Sequence, residues 1–172
     1  MGAWVLHFDG LFEPRYQARG IATYGFTADH DGERVGEGKG LLFGPGEGGS
    51  ANVAEFGALI HGLAFLEDRK EDDCPVVIRG DSRLVIETVA GRWNLSSPRL
   101  LPLHKMARRI LAEIPGPKTL EKVSREENAG ADRLTREAYH EAAAAHPAWG
   151  LGPHAKTNRR RADPEARPPS RL

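Results

Sequence analysis

Residues 75–86, PVVIRGDSRLVI, decide the fold. Val76, Val77 and Ile78 make a short continuous apolar run, the pattern of a strand buried on both faces. From Ser82 the period changes, and SRLVIETVA (82–90) reads as a short helix. Asp81 stands at the junction, where a carboxylate is either a helix cap or one member of a catalytic set.

Upstream of this stretch, ANVAEFGALIHGLAFLEDRK (51–70) places Val53, Phe56, Leu59, Ile60, Leu63 and Leu66 at helical spacing. Its end is predicted at DDCP, because the residue before a proline is pushed out of the α region. Three β-rich segments come earlier: Ala3 to Phe8, which stops at the turn pair Asp9-Gly10, then 20–28 and 33–43. DHDG (29–32) joins the last two as a hairpin, and the short connections imply an antiparallel meander. Downstream, 98–114 reads as a helix stopped by PGP, 119–123 as a last strand, and 129–145 as an alanine-rich helix. Because both later strands follow helical crossovers, they run parallel to a neighbour. The expectation is an α/β domain over residues 1–147, built on a five-stranded mixed sheet with helices on both faces. A basic segment without periodicity, 148–172, is expected to be a disordered tail.

The 172 residues suffice for one domain with a sizeable core, and 40% hydrophobic with 28% charged residues is an ordinary globular mix. Net charge is zero, yet residues 154–172 hold six Lys or Arg against Asp163 and Glu165. A basic tail on a mildly acidic body suits a polyanionic partner, and it serves solubility equally well. Cys74 is the only cysteine, which excludes a disulfide framework within the chain and makes it a small residue ahead of Pro75. With no run near 18 apolar residues and no charged, apolar leader, the expectation is a soluble, monomeric protein of the reducing cytoplasm.

Four acids fall where this map can gather them. Asp9 and Asp81 end strands, while Glu55 and Asp132 lie in the first turns of the first long and the last helix. Open α/β sheets form sites beyond the carboxyl ends of their strands. Each acid alone has an ordinary explanation as a cap, a turn residue or a partner of a helix N-terminus. Together, crowded without Lys or Arg partners, they would repel unless divalent cations sat between them. Hard ions with oxygen ligands, Mg²⁺ or Mn²⁺, suit such a set, and two of them can drive an in-line phosphoryl displacement.

The segments FDG (8–10), NVAEFGALIHGL (52–63), GDSRLVI (80–86) and REENAGADRLTREA (125–138) resemble the successive motifs of type 1 ribonuclease H, in order and over most of residues 3–145. The resemblance implies strand order 3-2-1-4-5. It makes Asp9, Glu55, Asp81 and Asp132 catalytic ligands of two Mg²⁺ ions, with Mn²⁺ as a substitute. The implied reaction is cleavage of the RNA strand of an RNA–DNA hybrid to 3′-hydroxyl and 5′-phosphate ends. Asn52 matches an asparagine that reaches the hybrid's minor groove, and Gly10 and Leu11 offer backbone near the scissile phosphate. Ser82, Arg83 and Asn128 complete the implied substrate contacts, Arg83 standing where the family often has glutamine. Two family features are missing: the histidine-bearing loop before Asn128, for which Glu126, Glu127 or His140 could substitute, and the basic handle. The chain thus resembles the compact form of the family.

Three other functions compete. Gly44-Pro-Gly46-Glu-Gly-Gly49 fits the dinucleotide pattern G-x-G-x-x-G, with Glu67 and Asp68 as the later acid, but its preceding strand belongs to an antiparallel meander. A catalytically inactive hybrid-binding module has no need of four acids. A DEDD-type exonuclease calls for an acid where Leu11 stands. His61, His104, His146 and His154 lack partners at ligand spacing and are expected to face solvent.

Overall fold

In a computed structural model of the chain, Val76–Gly80 is a strand running parallel to both of its neighbours. The structure describes residues 2–14, 20–70, 72–150 and the backbone of 166–167. The sheet strands are β1 (Trp4–Glu13), β2 (Ile21–His30), β3 (Glu33–Phe43), β4 (Val76–Gly80) and β5 (Lys118–Lys122). Helix α1 (Ala51–Arg69) precedes β4, α2 (Arg83–Val89) and α3 (Leu101–Glu113) precede β5, and α4 (Ala129–Ala145) follows it. The order β3-β2-β1-β4-β5, antiparallel up to β1 and parallel beyond it, is the expected one. A two-residue pairing of Asn94–Leu95 with Ala166–Arg167 is the one part of the expected tail beyond Gly150 that the structure describes.

Local chemistry sets the connections. His30 pairs with Glu33, and Asp31 and Gly32 between them have φ of 55° and 80°. Positive φ at both central residues gives a hairpin turn whose twist matches the strands. Ser50 caps α1 by accepting a hydrogen bond from the Val53 amide at 3.2 Å. That helix stops at Arg69, before the expected proline-driven end, because Lys70 turns extended and buries its side chain. Its ammonium donates to the carbonyls of Asp72 and Pro115. Helix α3 starts three residues later than the sequence predicts, after a turn over Pro98–Leu100.

The expected turn at Asp9-Gly10 is not there: β1 runs on to Glu13, pairing Asp9 with Gly25 and Gly10 with Tyr24. Burial along β1 explains why the alternation misleads. Trp4, Leu6 and Phe8 join the main core with α1, α2 and α3, whereas Leu11 packs with Ile21 and Tyr139 under α4. The buried phase changes face at Phe8 and Asp9, which are buried in succession. A strand that switches its covered face in the middle reads, in sequence, like a strand that ends.

Candidate active site

Register brings the first two acids together. Phe8 pairs with Gly80 in the parallel ladder, so Asp9, inside β1, and Asp81, one residue past the end of β4, stand side by side. Asp81 does not cap α2; Ser82 does, accepting from the Val85 amide at 3.4 Å. Glu55 comes from the second turn of α1, a turn later than its expected place. Its Oε2 accepts from the Gly10 amide at 3.3 Å. The helix can lie this close because residue 10 has no side chain: a Cβ there would meet the Ala54 carbonyl carbon at 2.2 Å and the Glu55 nitrogen at 2.3 Å. Glycine at position 10 is thus needed first for helix packing.

Asp9, Glu55 and Asp81 each offer an oxygen, and these atoms all lie within 4.8 Å of one another. Asp9 is 7% exposed. Burial first, and then the charges of Asp81 and Asp132, push its carboxyl well above the usual range. Arg125 and the Thr135 hydroxyl, 3.3 Å from Asp9 Oδ2, act in the other direction without cancelling it. A buried carboxylate with raised proton affinity beside two more acids is an oxygen-rich cradle fitted to hard divalent cations.

Asp132, in the first turn of α4, is placed differently. Its Oδ1 accepts from Arg125 Nη2 at 3.1 Å and its Oδ2 pairs with Arg136 Nη2 at 2.6 Å. The expectation of four acids without arginine partners is corrected here: two guanidinium groups neutralise the fourth. Arg136 stands at i+4 from Asp132, a spacing legible in sequence. Arg125 precedes the helix, and only the folded loop brings it in.

The other implied residues divide. Asn52 is half-buried one turn before Glu55, and Arg83 is exposed beside Asp81. The side chain of Leu11 is in the core, so only its backbone is available. Asn128 is buried, and its Nδ2 donates to the Phe8 carbonyl at 2.8 Å, tying the start of α4 to β1 next to Asp9. Replacing Asn128 with alanine leaves that carbonyl unsatisfied and is expected to cost about 1–3 kcal/mol in urea unfolding. Glu127 closes its own turn by accepting from the Ser124 amide at 2.8 Å, while Glu126 and His140 are exposed. His61 and His146 are exposed as expected, stacking on Tyr24 at 3.9 Å and on Trp149, whereas His104 is half-buried with its Nε2 2.9 Å from the Thr88 carbonyl. His154 is outside the described residues.

Gly44–Gly49 follows the edge strand β3, and its turn is closed internally, Gly44 N–H donating to Glu47 Oε2 at 2.6 Å. No parallel strand precedes it, so the dinucleotide geometry is absent.

A mixed sheet in this order, with three acids at the carboxyl edge of its central strands, defines the ribonuclease H-like class. The family described as "Reverse transcriptase-like" matches residues 8–138. The chain belongs to that family, and within it to type 1 ribonuclease H. The ribonuclease H1 of the archaeon Halobacterium salinarum is 30% identical over 81% of this chain and 98% of that one, with a TM-score of 0.69. The N-terminal ribonuclease H domain of Rv2228c from Mycobacterium tuberculosis is 28% identical over 84% and 99%, at 0.70. LC11-RNase H1, solved in complex with an RNA/DNA hybrid, is 27% identical over 81% and 98%, at 0.70. In curated sequence, the bifunctional protein Rv2228c is 36% identical over 92 residues, 54% of this chain. The chain spans only 24% of that relative's length.

Proposed function

We propose that the protein is an endoribonuclease that hydrolyses the RNA strand of RNA–DNA hybrids. The observation that carries this is the convergence of Asp9, Glu55 and Asp81 within 4.8 Å at the edge where β1 and β4 part. The solved relative bound to a hybrid supports the choice of substrate. Asp9, Glu55, Asp81 and Asp132 would hold two Mg²⁺ ions, or Mn²⁺ in their place. Bound there, such ions supply an activated water and stabilise the leaving oxygen, giving 3′-hydroxyl and 5′-phosphate ends.

The chain's own groups do the rest. Gly10 and Leu11 present backbone to the phosphate, and Asn52 reads the minor groove, where 2′-hydroxyls distinguish RNA from DNA. Ser82 and Arg83 lie beside Asp81 and reach the backbone of the hybrid. Asn128 acts through the Phe8 carbonyl, fixing α4 against β1 so that Asp132 stays near the edge. Arg125 and Arg136 hold Asp132 and lower the negative charge that the edge presents to an incoming phosphate. Among the described residues no helix is long and apolar enough to cross a membrane. A monomer working in the cytoplasm fits a single self-contained edge of this kind.

End-group analysis of products from RNA–DNA, RNA–RNA and DNA–DNA duplexes tests this function. Cleavage confined to the RNA strand of the hybrid, with 5′-phosphate ends, supports it. The basic segment 154–172 adds phosphate affinity in this account, so removing it is expected to weaken hybrid binding and to flatten its salt dependence. Unchanged affinity at low salt would show that the tail does not grip the substrate.

A further inference from the structure

At the opposite pole of the sheet a second ligand set has no part in the proposed hydrolysis. His30 closes β2, and Asp72 and Cys74 lie in the connection from α1 to β4. Each offers one donor atom, and the three donors lie within 4.8 Å of one another. Trp4, which pairs with both His30 and Val76, marks this pole. Asp9 is five residues further along β1, about 17 Å away at strand rise.

We propose that His30, Asp72 and Cys74 form a site for a borderline transition-metal ion of the Zn²⁺ type. The donor chemistry selects the ion: an imidazole nitrogen, a thiolate and a carboxylate suit Zn²⁺, whereas the all-oxygen edge suits Mg²⁺ or Mn²⁺. His30 Nε2 is shielded from solvent and has no hydrogen-bond partner among the described residues. An orphaned ring nitrogen is costly to bury, and an ion removes that cost. The ring is held in place by stacking on Trp4 at 4.5 Å and 14°.

Asp72 is fixed as well. The Trp4 indole donates to its Oδ2 at 3.0 Å, while the Cys74 amide at 2.9 Å and the Lys70 ammonium at 3.0 Å bind Oδ1. These three groups hold the carboxylate in one orientation. Such hydrogen bonds around a ligating carboxylate orient it, as outer partners do in metal sites. Lys70 opposes a cation, but the negative charge of Asp31, whose Oδ2 lies 4.0 Å from His30 Nε2, offsets it. Tetrahedral bond lengths of about 2.0–2.3 Å put donors about 3.3–3.7 Å apart, so closure needs only side-chain adjustments of about 1 Å. The thiol proton passes to solvent on binding. Such an ion would staple the β2–β3 hairpin to the start of β4.

Titration of the metal-free 172-residue chain with Cd²⁺, whose thiolate complexes absorb in the ultraviolet, tests the site. The expected result is a charge-transfer band saturating at one equivalent. It should vanish in Cys74→Ser, need at least about tenfold more Cd²⁺ in His30→Gln, and persist in Asp9→Asn. Zn²⁺ should raise the melting temperature of Asp9→Asn but not of the double variant that also carries Cys74→Ser. No band, or a band unchanged in His30→Gln, would mean no site or a thiol acting alone, and either overturns the proposal. Cooperative melting and an unaltered circular dichroism spectrum of the metal-free variants establish that they are folded.

Discussion

Asp9→Asn is expected to lose more than about 10³-fold of hybrid cleavage while making the metal-free protein harder to unfold. One preorganised group facing developing charge is worth about 10²–10³ in kcat, and Asp9, the buried member of the cluster, is expected to exceed it. The stability change follows from linkage. Burial and the charges of Asp81 and Asp132 raise the Asp9 carboxyl in the folded state, so folding favours its protonated form. That favourable contribution is complete below the unfolded value of about 3.9 and is lost as pH rises through the folded one. At neutral pH without metal, the buried Asp9 carboxyl therefore opposes folding, and asparagine relieves it. Divalent ions held at the native edge, as proposed, would reverse the order by stabilising it through mass action. Melting curves at neutral pH, with chelator and then with Mg²⁺, should show Asp9→Asn above the parent in the first case, and in the second a rise for the parent that the variant lacks. A lower melting temperature for the variant in chelator would contradict the electrostatic account of the edge.

The second large effect is expected at Gly10, although it carries no functional group. A Cβ there meets the Ala54 backbone at 2.2 Å, and backbone cannot swing aside as a side-chain tip can. To reach ordinary contact, α1 must retreat by about 1 Å, and overpacking of this kind costs about 1–3 kcal/mol. Glu55 travels with the helix. A misplacement of about 1 Å at reacting groups can cost about 10²-fold in rate, so Gly10→Ala should lose activity at temperatures where it is still folded. Gly130→Ala is the control, since its new methyl meets only Thr27 Cγ2 at 3.5 Å. Equal kcat values for the two variants would show that α1 does not need its close approach.

Both effects depend on features that the sequence carries unevenly. The parallel strand at residues 76–80, the long helix before it and the hairpin at Asp31-Gly32 were legible because apolar period and turn chemistry are local properties. Positions 9, 55 and 81 could be singled out as acids at element boundaries, and the fold does gather them. The length of β1 was not legible, because α4 covers the face carrying Leu11, and that cover is supplied by residues more than a hundred positions away. The pairing of Asp132 with Arg125 has the same origin: a loop ahead of α4 folds back on the helix's first turn. Asn128 shows the third kind of gap. Its amide answers the carbonyl of Phe8, 120 residues earlier in the chain, and no spacing rule reports that.

As proposed, Asp9, Glu55, Asp81 and Asp132 make one hydrolytic edge specific for hybrids. Its most direct test is the initial rate at which the intact chain cleaves a labelled RNA strand, paired with DNA, in Mg²⁺, beside Asp9→Asn and Asp81→Asn. The parent should cleave rapidly, cleavage should stop without divalent ion, and both variants should lose more than about 10³-fold. Cleavage by either variant at a rate near the parent's, or a parent inert towards the hybrid in both Mg²⁺ and Mn²⁺, would contradict it.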